Sequence, residues 1–171
     1  MALPAKIKHL NFFNEGQTYI GESESFTRPK LARKLEAFRG GGMHGAVHID
    51  HGLEDDALDV EWVIGGYAAQ VIKQMGIAEV GGVMLRFVGS VQREDSAAVN
   101  ALEIVVRGRH AEIDTGEYKT GEDSNKTITT KCVYYKETLN GEVLMEIDLL
   151  NGIELVGGVD RMAEHRRAIG M

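Results

Sequence analysis

The residues best suited to chemistry crowd one short stretch, "MHGAVHIDH", where His44, His48, Asp50 and His51 fall within eight positions. Imidazole and carboxylate are the donors that hold zinc, copper or iron. Extended backbone would put His44, His48 and Asp50 on one face, but His44 and His48, four residues apart, would stand about 13 Å from each other. His48 and Asp50 could share an ion, while His51 points away. A helix would bring the first two histidines together, yet Gly45 and the β-branched Val47 and Ile49 oppose one. Exposed histidines on a solvated strand or loop are the favoured reading. A metal-dependent enzyme centred on His48 and Asp50 stands as an alternative.

Neighbouring segments add no stronger site. "RGGGMHG", residues 39–45, is rich in glycine but lacks the Lys-Ser/Thr ending that a phosphate-cradling loop needs. The carboxylates Glu54, Asp55, Asp56, Asp59 and Glu61 lack the glycine-centred spacing of a calcium loop and read as a solvated acidic strip. Ser96 follows Asp95, but no GxSxG elbow surrounds it. "TGEYKTGEDSNKT", residues 115–127, is charged and turn-rich and reads as a long surface loop. No catalytic triad and no cofactor motif emerges, which favours a structural or binding role. A small β-barrel carrying an apolar ligand is a further alternative.

Bulk properties narrow the class. The 171 residues fit one domain with a core of its own. The single cysteine, Cys132, permits no internal disulfide and reads as a buried structural thiol. "MALPAKIKHLNFF" lacks the long apolar region of a signal peptide, and no stretch approaches the roughly 20 apolar residues of a membrane span. The expectation is a soluble protein of a reducing compartment, without a membrane anchor. With 26 acidic against 19 basic residues, the net charge of −7 argues against a protein that grips nucleic acid by its phosphates. Two prolines against 21 glycines suggest turns and bulges between strands.

The elements that must position these groups are mostly strands. In "ALDVEWVIGG", Leu58, Val60, Trp62 and Ile64 share one face while Asp59 and Glu61 take the other. Val83, Leu85, Phe87 and Val91 alternate against Arg86, Ser90 and Gln92, and Leu102, Ile104 and Val106 against Glu103 and Arg107. Gly89 and Gly108 mark bulges or bends. Asn140-Gly141 predicts a type I′ hairpin, and Asn151-Gly152 a second turn. "PKLARKLEAFR" reads as a strand. Two short helices are expected: one after Gly66 with Ala68, Val71, Ile72 and Met75 at helical spacing, ending at Gly76, and one capped by Asp160 and ending at Gly170, with Arg166 and Arg167 near its C-terminus. The fold class is mainly β, a sandwich or partial barrel with two short helices.

Four segments together resemble a known family. "LPAKIKHLNFFNEG", "ESFTRPKLARKLEAFRGGGM", "HIDHGLEDDALDVEW" and "YYKETLNGEVLMEIDLLNGIELVGGVDRM" are similar, in order and spacing, to the major tail tube protein of contractile-tailed bacteriophages and of phage-tail-like bacteriocins. The resemblance implies a structural subunit occupying residues 1–171 as one domain. Six copies would form a ring whose strands join into a continuous barrel, and rings would stack into a hollow tube. That tube would conduct DNA, or ions in a DNA-free particle, without binding it specifically. Implied partners are the tail sheath, baseplate and tail terminator proteins. The implied location is the virion tail, with assembly in the host cytoplasm. The family does not call for the histidine-rich segment.

Within that frame, Gly40, Gly41 and Gly42 read as a joint opening an extended arm to about residue 56, which docks on a neighbouring subunit or ring through Met43, Val47, Ile49 and Leu53. Asp59, Glu61 and Glu103, on the polar strand faces, are candidates to face the lumen. There they would repel phosphates during transit.

Overall fold

Strict alternation of apolar and polar residues along long strands leaves each with one face to bury, and the chain buries those faces against one another by curling a single sheet. The computed structural model describes residues 3–171; Met1 and Ala2, the start of the expected 1–171 domain, lie outside the described residues. In chain order the elements are β1 (Lys6–Asn14), β2 (Gln17–Thr18), β3 (Ser23–Thr27), β4 (Arg33–Phe38), β5 (Val47–Leu53), β6 (Val60–Gly65), α1 (Ala69–Lys73), β7 (Val83–Gln92), β8 (Val99–Asp114), β9 (Asn125–Leu139), β10 (Glu142–Asp148), β11 (Ile153–Val156), β12 (Val159–Asp160) and α2 (Ala163–Ile169). The predicted mainly β class with two short helices holds.

Ten strands form one sheet in the order β12-β11-β10-β9-β8-β7-β1-β2, while β4 and β5 form a separate two-stranded sheet. The sheet forks at β9. Residues 134–139 of that strand pair with β10, and residues 125–130 pair with β6, which carries β3 on its other side. The β6–β3 lobe folds over β1 and β7, so that Trp62 meets Phe12 at 4.4 Å between ring centroids and Phe26 stacks on Phe87 at 3.4 Å. The result is a partial barrel that does not close. Leu58, Val60, Trp62, Ile64, Val83, Leu85, Phe87, Ile104 and Val106 are all buried in its core, as the alternation predicts.

Among the bulges that steer this curvature, two lie at or next to the glycines that the sequence singles out. Lys8 is an extra residue on β1 opposite the Ser90–Val91 step, so Gly89, paired with Leu10, lies beside this bulge and not in it, and Val133 is an extra residue on β9 opposite Gly108. At Gly108 a Cβ would lie 2.1 Å from the Lys131 carbonyl oxygen, so no other residue fits the close approach of the strands. The β9–β10 turn has Asn140 at φ 50° and Gly141 at φ 83°, both left-handed, as a type I′ hairpin requires.

Other local readings shift. α1 buries Val71, with its N-cap residue Ala68 also buried, but Ile72 and the following Met75 remain exposed, because the helix spans only five residues and presents one narrow stripe. α2 is capped by Met162, not Asp160. Asp160 pairs with β11 instead, as part of β12; its carboxylate accepts the Met162 N–H at 3.0 Å and the Arg166 guanidinium at 2.6 Å. That guanidinium pulls the Asp160 carboxyl down to about 2. The surface loop after Asp114 ends at Ser124, and β9 begins at Asn125.

Candidate functional site

The segment singled out for chemistry forms one half of the β4–β5 hairpin. Phe38 lies opposite Val47, Glu36 opposite Ile49, and Leu35 opposite Asp50. Gly40, Gly41 and Gly42 belong to the loop between these strands, with Gly42 at φ 82°. They sit at the far tip of a hairpin whose root is residues 28–32 and 54–59. Met43 curls back on the tip, its sulfur accepting the Gly40 N–H at 3.0 Å. The arm read as starting at residue 40 is thus the return half of a paired ribbon.

The root is firmly held. Leu31 and Leu53 pack against the core, so Leu53 is engaged within its own subunit. The N–H of Leu31 donates to Ala57 at 3.2 Å, and that of Glu54 to Ala32 at 3.0 Å. Arg33 donates from Nε to Asp50 and from Nη1 to Glu154, each at 2.5 Å. Beyond the root the ribbon is bare: Phe38 is 54% exposed, Val47 55% and Ile49 45%. Half-exposed apolar residues concentrated on one element mark an interaction surface.

β5 places His48, opposite Ala37, and Asp50, opposite Leu35, on one face as expected, but no third donor joins them among the described residues. β5 begins at Val47, leaving His44 in the loop. Asp50 is committed to the Gly52 N–H at 2.9 Å and to Arg33, which together hold its carboxyl below the usual carboxylate range. His51 lies 3.6 Å from Glu36 on the ribbon's other face. Among the described residues no group of three or more His, Cys, Asp or Glu side chains converges.

A second surface is the polar face of the main sheet. Asp59 pairs with Lys131, Glu103 with Arg86 at 2.6 Å, and Glu61 lies opposite Thr129 on β9. The three carboxylates lie on the non-core side, together with Arg107, Lys136, Glu146 and Asp148, so charges of both signs alternate there.

Sequence reasoning missed two buried polar features. His110 is 4% exposed and carries a fixed tautomer. Asn14 and Gln74 form a reciprocal amide pair at 2.7 and 2.8 Å, leaving Gln74 Oε1 to accept from His110 Nε2 at 3.2 Å. Nδ1 then accepts the Thr130 hydroxyl at 3.0 Å, and that oxygen accepts the Trp62 indole N–H at 3.2 Å. Burial pushes the imidazole down to about 4, so it stays neutral. Lys126 is also buried; its ammonium donates to the Gly66 carbonyl at 2.7 Å and lies over the rings of Tyr67 and Tyr118. In the sequence both are single polar letters in alternating runs, and only the packing of distant elements assigns them roles.

A partial barrel that leaves an apolar hairpin bare has the form of a subunit with a surface to cover. Comparison with known proteins agrees. The model of the phage tail tube protein FII family matches residues 4–170, and the chain belongs to that family. It is a family of structural tail proteins, not enzymes. The tail tube protein of Escherichia phage P2 is 49% identical over 172 residues, spanning 100% of both chains. The major tail tube protein of Serratia phage KSP20 is 41% identical over 153 residues, covering 90% of this chain and 88% of that protein. In fold, the chain is similar to one in the cryo-EM structure of the anti-feeding prophage baseplate, 6-fold symmetrised, with TM-score 0.50, 13% identity, and coverage of 81% and 97%.

Proposed function

We propose that six copies of this virion tail component, each a single domain over residues 1–171, close into a ring, and that rings stack into the hollow tube of a contractile tail. The observation that carries this reading is the β4–β5 hairpin: its Leu35, Phe38, Val47 and Ile49 project from a well-packed body without cover among the described residues. A number of six is supported by the sixfold symmetry of the baseplate that shares the fold. Four strands per subunit would give about 24 strands. At roughly 4.8 Å spacing and about 40° tilt these close to a diameter of about 45 to 50 Å, wide enough for a DNA duplex.

In this reading residues 40–56, with Gly40, Gly41, Gly42, Met43, Val47 and Ile49, belong to the inter-subunit arm, and Asp59, Glu61 and Glu103 face the lumen. Passing DNA would meet a wall whose net charge is negative and be repelled from it, while a DNA-free particle would conduct ions through the same lumen. The sheath, baseplate and tail terminator proteins are the outer and end partners, and assembly takes place in the host cytoplasm. End-on class averages of assembled particles test the reading. Sixfold rings with an open lumen support it; a different symmetry, or a filled centre, overturns it.

A further inference from the structure

Where β3 lies over β1, β7 and β8 without pairing to β1, the partial barrel leaves a slot of about 300 Å³ lined by Ile7, Leu10, Phe26, Phe87 and Leu102. Gly89, having no side chain, also lines it and leaves the space open. The slot is apolar except for Arg28 at its lip. We infer that this slot receives the β4–β5 hairpin of a neighbouring copy, an inference that rests on the tube reading above. The subunit's own hairpin does not fill the slot: no residue of β4 or β5 lines it, and Phe38, Val47 and Ile49 stay about half exposed.

Charge and register select this occupant. Glu36 lies directly opposite Ile49, and Phe38 opposite Val47, so one face of the ribbon carries three apolar side chains and the exposed Glu36 carboxylate, with His51 3.6 Å from that carboxylate. The successive pairs are about 7 Å apart along the strands. The slot offers the complement, an apolar cleft with one guanidinium at its edge. Arg28 spends one nitrogen on Glu137 at 3.1 Å, and among the described residues the rest of its donor fork has no partner, which leaves it open to a carboxylate from outside. Because hairpin and slot are different surfaces, the contact is head-to-tail. Such contacts generate closed rings or continuous stacks, where a self-complementary contact would stop at a dimer.

Cysteine pairing tests the inference in the full chain. The native Cys132 is 6% exposed, and burial pushes its thiol up to about 12, so it is a silent background. Phe38→Cys with Leu102→Cys should give a ladder of disulfide-linked multimers when assembled particles are oxidised, and Phe38→Cys with Val105→Cys, on the sheet's other face, should not. Should Leu102→Cys disturb folding, Ile7→Cys at the 55% exposed rim replaces it. Charge reversal gives a second readout: Arg28→Glu and Glu36→Lys should each weaken assembly about tenfold, and together restore it. Normal tubes without the expected ladder, or dimers from Phe38→Cys alone, overturn the slot assignment while leaving the tube reading intact. Failure of the unmodified chain to form rings or tubes overturns both.

Discussion

Arg33 and Glu154 join two strands that share no backbone pairing: the guanidinium on β4 lies 2.5 Å from the carboxylate on β11. Because Arg33 also holds Asp50, it pins the hairpin's base to the body and to its own return strand. The arm's direction is therefore set at the root, and the glycines shape the tip. Arg33→Ala should loosen residues 33–53 and leave Glu154, which is largely buried, short of a partner. Since the pair is partly solvated, the loss is about 1 kcal/mol, a fall in Tm of about 2 to 4 °C. Hydrogen exchange should show faster exchange confined to the hairpin.

Gly108 should be intolerant of alanine and Gly41 indifferent to it. A Cβ at Gly108 meets backbone atoms of Lys131 and Cys132, neither of which can move without breaking the β8–β9 ladder, whereas at Gly41 nothing lies within 4 Å. Urea unfolding should show Gly108→Ala destabilised by roughly 3 kcal/mol or more, and Gly41→Ala within about 0.5 kcal/mol of the unmodified chain.

His110 predicts an acid limb in stability. The imidazole lies near 4 when folded, against an ordinary 6.5. Between those values the unfolded chain binds a proton that the folded chain does not, so stability rises with pH. The contribution is complete above about pH 6.5 and is lost as pH falls toward 4, worth roughly 3 kcal/mol across the window. Urea melts between pH 7 and 4, compared with His110→Gln, should show that the variant lacks most of this slope. A His110 resonance titrating near 6.5 in the folded protein would contradict the neutral, tautomer-locked network.

Cys132 should be dispensable for assembly. The thiol is buried in the core and its Sγ lies 3.7 Å from the Thr130 carbonyl. Cys132→Ser should still build tubes, and a thiol reagent should label the native protein only after denaturation. Loss of tubes under reducing conditions would point instead to a disulfide between subunits.

The strands were legible because their chemistry is local. Leu58, Val60, Trp62 and Ile64 announce a buried face two residues at a time, and Asn140-Gly141 fixes a turn by its own backbone preference. What the sequence left hidden depends on contacts between distant residues. Nothing near Glu154 signals Arg33, 121 positions away, and nothing near His110 signals Gln74, 36 positions away. For the same reason the glycine run read as a hinge: its flexibility is local, but whether it sits at the root or the tip depends on where β4 finds its partner. Asp160, a plausible cap by residue type, was drawn away by pairing with β11 and by Arg166.

Negative-stain microscopy of the purified chain, beside a Phe38→Glu, Ile49→Glu variant checked for folding by circular dichroism, measures the central claim most directly. Hollow rings or tubes are expected from the unmodified chain, and folded, unassembled subunits from the variant. An unmodified chain that remains monomeric at high concentration, or a variant that builds normal tubes, would contradict it.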